Sequence, residues 1–350
     1  MVLGLRGVGK TVLLNEFEKI AEAEGCQTAL VEAVAKQRLA DLLTPQLQRI
    51  LLKLNRLQKL GHELQRAFGL LRGFASIFAV KVGELEFGVS KEQVTGDFSL
   101  DLTDLLVAIG EAAKARNTVV AILIDELQYL VEDDLSALIA ALHKISQRRL
   151  PLVFFGAGLP QLAKLAGDAK SYAERLFEYP PIGPLDRDSA RRALQEPARA
   201  EGAEFNADAL AHILDKTKGY PFFLQVWGAQ AWDAAGGTPI SLADAEEATR
   251  RAIEHLDQGV FLSRFDRMTD RQRQYARAMA ELGAGPVRSA DVASVLGVSI
   301  KGAGPVRDEL IKKGMAFSPT RGTVEFTVPL FDEYMKRKMP LDRKPRRPRT

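Results

Sequence analysis

The feature that most constrains this chain is a glycine-rich segment at residues 4–11, Gly-Leu-Arg-Gly-Val-Gly-Lys-Thr. It fills every fixed position of the pattern G-x-x-x-x-G-K-T, the phosphate-binding loop of nucleoside triphosphatases. The glycines let backbone N–H groups turn inward as an anion-binding nest, and Lys10 is placed to reach the β and γ phosphates. The hydroxyl of Thr11 is the expected Mg²⁺ ligand. The residues predicted to bind the nucleotide are Gly4, Leu5, Arg6, Gly7, Val8, Gly9, Lys10, Thr11 and Val12.

The residues around this loop agree with a strand before it and a helix after it. Apolar residues recur at helical spacing from Val12 to Ile20, and Gly25 supplies a stop. Only residues 1–3 are available for the strand. Domains of this kind usually have an earlier segment that covers the base, so we expect an incomplete adenine pocket. The alternative is a glycine-rich turn in front of an ordinary helix.

A second motif lies at residues 119–126, where an apolar run ends in Asp125 and Glu126. A run without a polar break predicts a buried parallel strand. Because open α/β sheets bind ligands at the carboxyl ends of their strands, we expect Asp125 to hold Mg²⁺ and Glu126 to polarise the attacking water as general base. The alternative is a strand that ends in a solvated acidic turn. No guanine-selecting N-K-x-D stretch is present, which favours ATP over GTP.

Length and composition indicate roughly two or three domains and no membrane span. The 350 residues are 46% hydrophobic and 27% charged, which is ordinary for globular proteins. The single cysteine, Cys26, excludes an internal disulfide and is typical of the reducing cytoplasm. No apolar run reaches the roughly 20 residues that a membrane helix needs. We therefore expect a cytoplasmic protein with no membrane partner.

The stretch between the two motifs is longer than a bare strand–helix–strand core requires. A strand is predicted over 27–33, and helices with one apolar stripe are predicted over 36–70. Pro45 interrupts this stretch and suits the start of a helix. Residues 77–89 alternate in strand fashion. We interpret residues 36–100 as an insertion, whose leucine stripe is more typical of packing than of a partner groove.

Two further helices are predicted over 101–117 and 133–148, and an apolar strand is predicted over 151–155. The resulting order of elements resembles that of AAA+ and allied signalling ATPases. The resemblance is to the additional-strand P-loop class, and it implies an α/β fold with a parallel sheet. In these families the strand after the acidic strand carries a polar sensor near the γ-phosphate. This chain departs from that pattern with Gly156-Ala157-Gly158, and a backbone contact or Gln128 is the expected substitute.

Residues 170–177, Lys-Ser-Tyr-Ala-Glu-Arg-Leu-Phe, resemble the segment in which such proteins place an arginine finger. The resemblance implies that Arg175 stabilises transition-state charge on the ATP of a neighbouring subunit. A homo-oligomer is then the expected assembly. The alternative is a surface arginine paired with a nearby glutamate.

A helical lid is predicted over 186–257. Its helices are expected at 188–201, 206–217, 222–234 and 241–255. Gly219-Tyr220-Pro221 resembles the Gly-x-Pro lid motif of signal-transduction and origin-recognition ATPases. The resemblance implies that Gly219 and Pro221 belong to the nucleotide site, with the proline behind the adenine. The alternative is a helix break, which glycine and proline make in any case.

Residues 258–335 carry the element order of a winged helix-turn-helix module. Its helices are predicted over 269–282, 289–296 and 305–313, and its strands over 316–318 and 323–327. Val292, Val295 and Leu296 are expected in its core. The residues expected to face DNA are Lys301, Arg307, Lys312 and Arg321. The alternative is a winged helix that docks a protein.

The charge distribution favours an anionic partner for the C-terminal part. Residues 258–350 contain 19 lysines plus arginines and 10 aspartates plus glutamates, a net +9 against +3 for the whole chain. Residues 336–350 are basic, contain prolines and lack core-forming residues, so we expect them to form a disordered tail. The three domains expected before this tail span 1–185, 186–257 and 258–335. Such a tail would hold phosphates without sequence preference, or it would simply aid solubility.

Over almost the whole chain, these motifs resemble prokaryotic ATP-binding proteins related to origin-recognition and STAND-type signalling ATPases. The resemblance implies a Mg²⁺-dependent ATPase whose nucleotide state controls engagement of duplex DNA through the winged helix. Two alternatives stay open. One is a signalling ATPase whose winged helix binds protein, and the other is an ATP binder that does not hydrolyse its ligand.

Overall fold

The computed structural model describes residues 1–56, 61–80, 92 and 94–340. The chain divides into two compact units. The first contains Met1–Gly4 and Gly9–Ile182, and the second contains Leu5–Val8 and Gly183–Thr350. The division therefore passes through the glycine-rich loop. In the described part of the chain, no helix is both long and apolar enough to cross a membrane.

The first unit is built from four strands, seven helices and one short 3₁₀ turn within its described residues. The strands are β1 (Val2–Leu3), β2 (Gln27–Glu32), β3 (Val120–Asp125) and β4 (Leu152–Gly158). The helices are α1 (Lys10–Ala23), α2 (Leu39–Arg56), α3 (His62–Ile77), α4 (Phe98–Ala115), α5 (Glu132–Arg148), α6 (Leu162–Ala169) and α7 (Ala173–Leu176). The 3₁₀ turn spans Leu127–Tyr129.

The four strands form one parallel sheet in the order β1-β4-β3-β2. Strand β4 lies between β1, which leads into the glycine-rich loop, and β3, which carries the acidic pair. This insertion of a strand defines the additional-strand class, so the predicted α/β fold is confirmed. A further parallel bridge joins Leu3 to Pro181. It extends the sheet beyond β1, because Ile182 N–H donates to the Leu3 carbonyl at 2.7 Å.

Strand β3 lies at the centre of the core, and all six of its residues are buried. Alternate side chains enter two apolar clusters, with Ile122 and Ile124 in the larger one and Leu123 in the smaller one. Helices on both faces of a parallel sheet require this double burial, which explains the unbroken apolar run. The core thus fixes the position of Asp125 at the end of β3.

The inserted block contains α2 and α3, and the prediction that Pro45 begins a helix is wrong. Pro45 lies inside α2. It lacks the N–H that would donate to the Asp41 carbonyl. The helix continues because its apolar face is buried, and the Thr44 hydroxyl donates to the Ala40 carbonyl at 2.7 Å. The strand predicted over 77–89 falls mainly on residues 81–89, which lie outside the described residues, whereas its first residue, Ile77, ends α3.

The second unit is mainly helical. Its helices are α8 (Arg187–Ala200), α9 (Ala207–Thr217), α10 (Pro221–Ala234), α11 (Leu242–Leu256), α12 (Leu262–Asp266), α13 (Asp270–Leu282), α14 (Ser289–Leu296), α15 (Ile300–Lys312) and α16 (Phe331–Lys338). A π turn spans Asp257–Phe261. The strands are β5 (Val287–Arg288), β6 (Ala316–Phe317) and β7 (Thr323–Phe326).

Helices α8 to α11 correspond to the four helices predicted for the lid. Local capping explains their starts. The Asp186 carboxylate accepts from Ser189 N–H at 2.8 Å before α8, and Pro221 opens α10 at a position where no N–H is needed. Ser241 and Asp244 form a capping box before α11.

The C-terminal part combines α13, α14 and α15 with an antiparallel sheet in the order β5-β7-β6, an arrangement that fits a winged helix. Two predictions need correction. Helix α15 begins at Ile300 rather than Pro305, because Ser299 accepts from Gly302 N–H at 3.1 Å and caps it. Val295 is 48% exposed instead of belonging to the core, whereas Val292 is fully buried as expected.

Helix α16 corrects the predicted start of the disordered tail. Lys336, Arg337 and Lys338 form its last turn. The opposite face of α16 buries Phe331 and Tyr334, a helical spacing that sequence reasoning overlooked. Basic residues also suit the negative end of a helix dipole. Residues 341–350, the remainder of the predicted tail, lie outside the described residues.

Candidate nucleotide-binding site

The two sequence motifs meet at the carboxyl end of the sheet in the first unit. Thr11, in the first turn of α1, donates its hydroxyl to Oδ2 of Asp125 at 2.5 Å. Asp125 is 4% exposed, and its Oδ1 accepts from Glu126 N–H at 2.7 Å. Two residues that are 114 positions apart in sequence thus place two hard oxygen ligands together. These are the two residues predicted to hold Mg²⁺.

Lys10 begins α1 and is 5% exposed. Its ammonium donates to the Gly4 carbonyl at 3.1 Å. Gly9 precedes it with φ 95°, a left-handed conformation that favours glycine. Since Gly9 has no side chain to cap the helix and the first turn has no acidic residue, the first N–H groups of α1 are suited to an anion.

This donor set fits a magnesium–triphosphate group. The site combines a buried ammonium at Lys10, the N-terminus of α1, and the hydroxyl and carboxylate of Thr11 and Asp125. Oxygen ligands of this kind suit Mg²⁺, which is bound through few protein groups together with substrate phosphates. The chemistry of these donors therefore fits the triphosphate of a nucleotide and Mg²⁺.

Glu126 follows Asp125 in a left-handed conformation, with φ 53° and ψ 36°. A residue with a side chain adopts this conformation at a cost of about 1–2 kcal/mol. The conformation turns the chain from β3 directly into the 3₁₀ turn, where Tyr129 N–H donates to the Glu126 carbonyl at 2.9 Å. The unusual backbone thus presents the Glu126 carboxylate beside the end of β3.

Gln128 contacts this carboxylate through its side-chain amide. Its Nε2 donates to Oε2 of Glu126 at 2.6 Å, and its Oε1 accepts from Leu159 N–H at 3.0 Å. Leu159 directly follows β4. Gln128 was one of the two substitutes predicted for the polar sensor, and the structure joins it to the acidic pair and to the end of β4.

The glycines of β4 explain why this strand carries no polar sensor side chain. A Cβ on Gly156 would collide with Cδ1 of Leu127, and a Cβ on Gly158 would lie 2.7 Å from Oε1 of Gln128. Glycine at both positions lets the 3₁₀ turn pack directly against β4. The close packing of the 3₁₀ turn against β4 therefore disfavours a sensor side chain at these two positions.

Within the second unit, residues 5–8 contact the start of α10. Phe222 N–H donates to the Gly7 carbonyl at 3.1 Å, and the Tyr220 hydroxyl donates to the Arg6 carbonyl. Gly7 has φ +83°, and a Cβ there would lie 2.9 Å from Cβ of Phe222. Burial raises the pKa of the Tyr220 phenol, so this group remains a donor.

Sequence reasoning singled out Gly219 and Pro221 in this segment but missed the aromatic residues beside them. Gly219 has φ +71°, and its carbonyl accepts from Leu185 N–H at 2.8 Å. Pro221 is the first residue of α10. The missed signal was the pair of aromatic residues that flanks the proline, Tyr220 and Phe222.

Arg175 lies in α7 and is exposed. Its side chain forms no ion pair with any residue in the described ranges, although Glu174 and Glu178 are close in sequence. The paired-arginine alternative is therefore not found among those residues. The guanidinium is accessible to another molecule.

The four residues predicted to face DNA divide into two groups. Lys301, Lys312 and Arg321 are exposed, on the first turn of α15, its last turn and the hairpin between β6 and β7. The Arg307 side chain is 22% exposed, and its guanidinium donates to the Ser318 hydroxyl at 3.0 Å. Arg307 thus ties α15 to the hairpin and is partly buried.

Comparison with protein families gives two matches. Residues 1–155 match the family described as an AAA ATPase domain, so this part of the chain is an AAA-type P-loop domain, as the resemblance implied. Residues 258–335 match a domain of unknown function (DUF8462). A search of the curated proteins finds no match.

Similar solved structures include Cdc6p from Pyrobaculum aerophilum, with 13% identity, a TM-score of 0.44, and coverage of 96% of this chain and 87% of that chain. The RuvB Holliday junction branch migration motor of Thermotoga maritima has 14% identity, a TM-score of 0.44, and coverage of 93% and 83%. Orc1 of Aeropyrum pernix, in complex with DNA, has 14% identity, a TM-score of 0.41, and coverage of 96% and 85%. The family match over residues 1–155 and the strand order of the sheet define the class of this domain.

Proposed function

We propose that this protein is a Mg²⁺-dependent ATPase whose nucleotide state controls engagement of duplex DNA. The observation that carries the proposal is the hydrogen bond between Thr11 and Asp125, with the Lys10 ammonium buried at the start of the same helix. This arrangement supports a triphosphate and its metal ion better than it supports any neutral ligand. A contact between Thr11 and Asp125 that served only the stability of the fold would not need the glycine-rich loop beside it.

The chain's own residues have separate tasks in this proposal. Lys10 neutralises charge on the β and γ phosphates, while Thr11 and Asp125 hold the metal, the latter directly or through water. Mg²⁺, when bound, offsets phosphate charge and orients the γ-phosphate. Glu126 accepts a proton as water attacks the γ-phosphorus, and the bond to the bridging oxygen breaks to release ADP.

Arg175 is proposed to act in trans. Its exposed guanidinium, without an ion-pair partner in the described ranges, supports a contact with the ATP of a second copy of this chain. Arginine suits this task because its planar fork binds phosphate oxygens in pairs. The active form would then be a homo-oligomer.

The C-terminal module is proposed to bind DNA mainly through phosphates. The net charge of +9 over 258–350 and the exposed positions of Lys301, Lys312 and Arg321 support this partner. Phosphate contacts of this kind position a module on the duplex without reading its sequence. We do not include Arg307 among the residues proposed to contact DNA, because its side chain hydrogen-bonds to Ser318 of the hairpin.

A second candidate function is a signalling switch whose winged helix binds protein. Three apolar side chains around the turn between α14 and α15 favour it. Val295, Val298 and Ile300 are 48%, 49% and 61% exposed. Neighbouring exposed apolar residues are more typical of a protein contact than of a phosphate contact.

The test is steady-state ATP hydrolysis by the full chain, with and without duplex DNA. We expect Glu126→Gln to retain ATP binding and to lose about 100-fold or more in kcat, because its shape survives and its basicity does not. Glu24→Gln, an exposed substitution after α1, is the matched control. Equal turnover in wild type and Glu126→Gln would overturn the catalytic assignment.

Gel retardation of duplex DNA tests the second half of the proposal. Replacing Lys301, Lys312 and Arg321 by alanine should weaken binding by the full chain, whereas Lys144→Ala in α5 should not. Retardation absent even at low salt would reject DNA as the partner. The signalling switch would then be the better function.

A further inference from the structure

We propose that Gln128 is a positioning residue that holds the Glu126 carboxylate and links it to the end of β4. The inference rests on the proposed role of Glu126 as general base, and it assigns a task to a residue that neither sequence motif contains. Its basis is the bridge that the Gln128 amide makes between two elements of the first unit.

The orientation of the amide follows from its partners. A backbone N–H can only donate, so the atom that faces Leu159 N–H at 3.0 Å must be the amide oxygen. The amide nitrogen then faces Oε2 of Glu126 at 2.6 Å and donates to it. Both polar ends of Gln128 are thus used, and reversing the amide would break both hydrogen bonds.

The shape of β4 supports the same conclusion. The strand has glycine at the two positions where a Cβ would meet the 3₁₀ turn, Leu127 at Gly156 and Gln128 at Gly158. A side chain at Gly158 would displace the Gln128 amide from Leu159. The close packing of β4 therefore holds Gln128 in the position from which it reaches Glu126.

This arrangement orients the Glu126 carboxylate. A hydrogen bond to one carboxylate oxygen fixes the plane of the group, which already lies on a strained left-handed backbone. Gln128 thus prepares the base but does not itself receive the proton from water.

The test compares Gln128→Met with Gln147→Met in steady-state ATP hydrolysis by the full chain. Methionine keeps the length of glutamine and removes both hydrogen bonds. Gln147 is an exposed glutamine of α5 whose side chain hydrogen-bonds to His143 on the surface, and its replacement should leave kcat and ATP affinity unchanged. For Gln128→Met we expect about a tenfold fall in kcat, with affinity for a fluorescent ATP analogue within about twofold of wild type.

One readout separates positioning from general support of the fold. In a Glu126→Gln background, Gln128→Met should have no further effect on kcat, since the two residues act through one group. Fully additive effects would overturn the inference.

A second variant tests whether misfolding explains a loss of activity. Gln128→Glu keeps an oxygen for Leu159 N–H but faces Glu126 with another carboxylate, which repels it, so this variant should also lower kcat and retain affinity for the ATP analogue. If Glu126→Gln is inactive while both Gln128 variants keep wild-type kcat, the inference is wrong. If Gln128→Met weakens ATP binding and leaves kcat unchanged, Gln128 contacts phosphate instead, which also overturns it. An active Glu126→Gln would count against the proposed function itself.

Discussion

The Lys10 ammonium is buried at the start of α1 and donates to the Gly4 carbonyl. In the proposed ATP complex, its removal would delete a charge-assisted hydrogen bond to phosphate, a type of contact that contributes about 1.5–3 kcal/mol. We therefore expect Lys10→Ala to weaken affinity for a fluorescent ATP analogue by about tenfold or more in an equilibrium titration.

Lys19→Ala is the control for this prediction. Lys19 lies in the same helix, is exposed, and pairs with Glu16 at 2.6 Å on the surface. Such pairs contribute little, so its replacement should leave ATP affinity unchanged. Unchanged affinity in Lys10→Ala as well would reject the assignment of the loop.

Single residues of the site were predictable to different degrees. Lys10, Thr11 and Asp125 follow from motifs in which spacing along the chain fixes the chemistry. The sequence indicated Gln128 only as one of two substitutes for the missing polar sensor. Its role depends on Leu159, which lies 31 positions away. No local pattern predicts that partner.

Among the elements, β4 and the 3₁₀ turn pack closely beside the site. Gly156→Ala would place a Cβ against Cδ1 of Leu127. We expect it to lower the free energy of unfolding by about 1–3 kcal/mol, the usual cost of overpacking, in urea unfolding followed by circular dichroism. Gly236→Ala, where a Cβ meets nothing within 4 Å, is the control.

A double variant makes this prediction more specific. Adding Leu127→Ala to Gly156→Ala removes the atom that the new Cβ would meet. The double variant should therefore lose less free energy of unfolding than the sum of the losses in the two single variants. Additive losses would indicate that Gly156 is needed for its backbone rather than for its close approach.

The C-terminal module at 258–335 gives a contrast between two arginines. Arg307 joins α15 to the hairpin, whereas Arg321 is exposed on the hairpin itself. Arg307→Ala should lower the thermal midpoint of unfolding, because it removes partly buried hydrogen bonds of about 1 kcal/mol each. Arg321→Ala should leave that midpoint unchanged but lower DNA affinity in gel retardation. The reverse pattern would show that the two roles were exchanged.

Helix boundaries show why element predictions failed where they did. Pro45 and Pro305 each read as a helix start, yet both lie inside helices. Proline costs about 3 kcal/mol in a helix interior, and burial of an apolar face outweighs this cost in α2. Propensity is local, whereas the burial that overrides it depends on neighbouring elements.

For the whole molecule, the strongest prediction concerns salt. Residues 341–350 contribute five lysines and arginines to the basic C-terminal part. If these residues contact DNA phosphates, deleting them from the full chain should reduce the slope of log affinity against log salt by up to about four units, because fewer counterions are released. Fluorescence anisotropy with labelled duplex over a salt series measures this slope.

The control for the deletion replaces the same five residues by glutamine. It keeps the length of the tail and removes the charge, so it should reproduce the flatter slope. A normal slope after charge removal would assign the salt dependence to the module at 258–335 alone.

Features that depend on neighbouring residues can be predicted from local spacing. The glycine-rich loop, the buried strand with Asp125 at its end, and the caps at Ser241 and Thr269 are of this kind. Three other features become visible only in the folded chain: β4 lies between β1 and β3, Val295 is exposed, and Gln128 hydrogen-bonds to Glu126. Motif chemistry and capping act over a few residues, whereas strand order, burial and side-chain bridges are fixed by contacts between residues far apart in the chain.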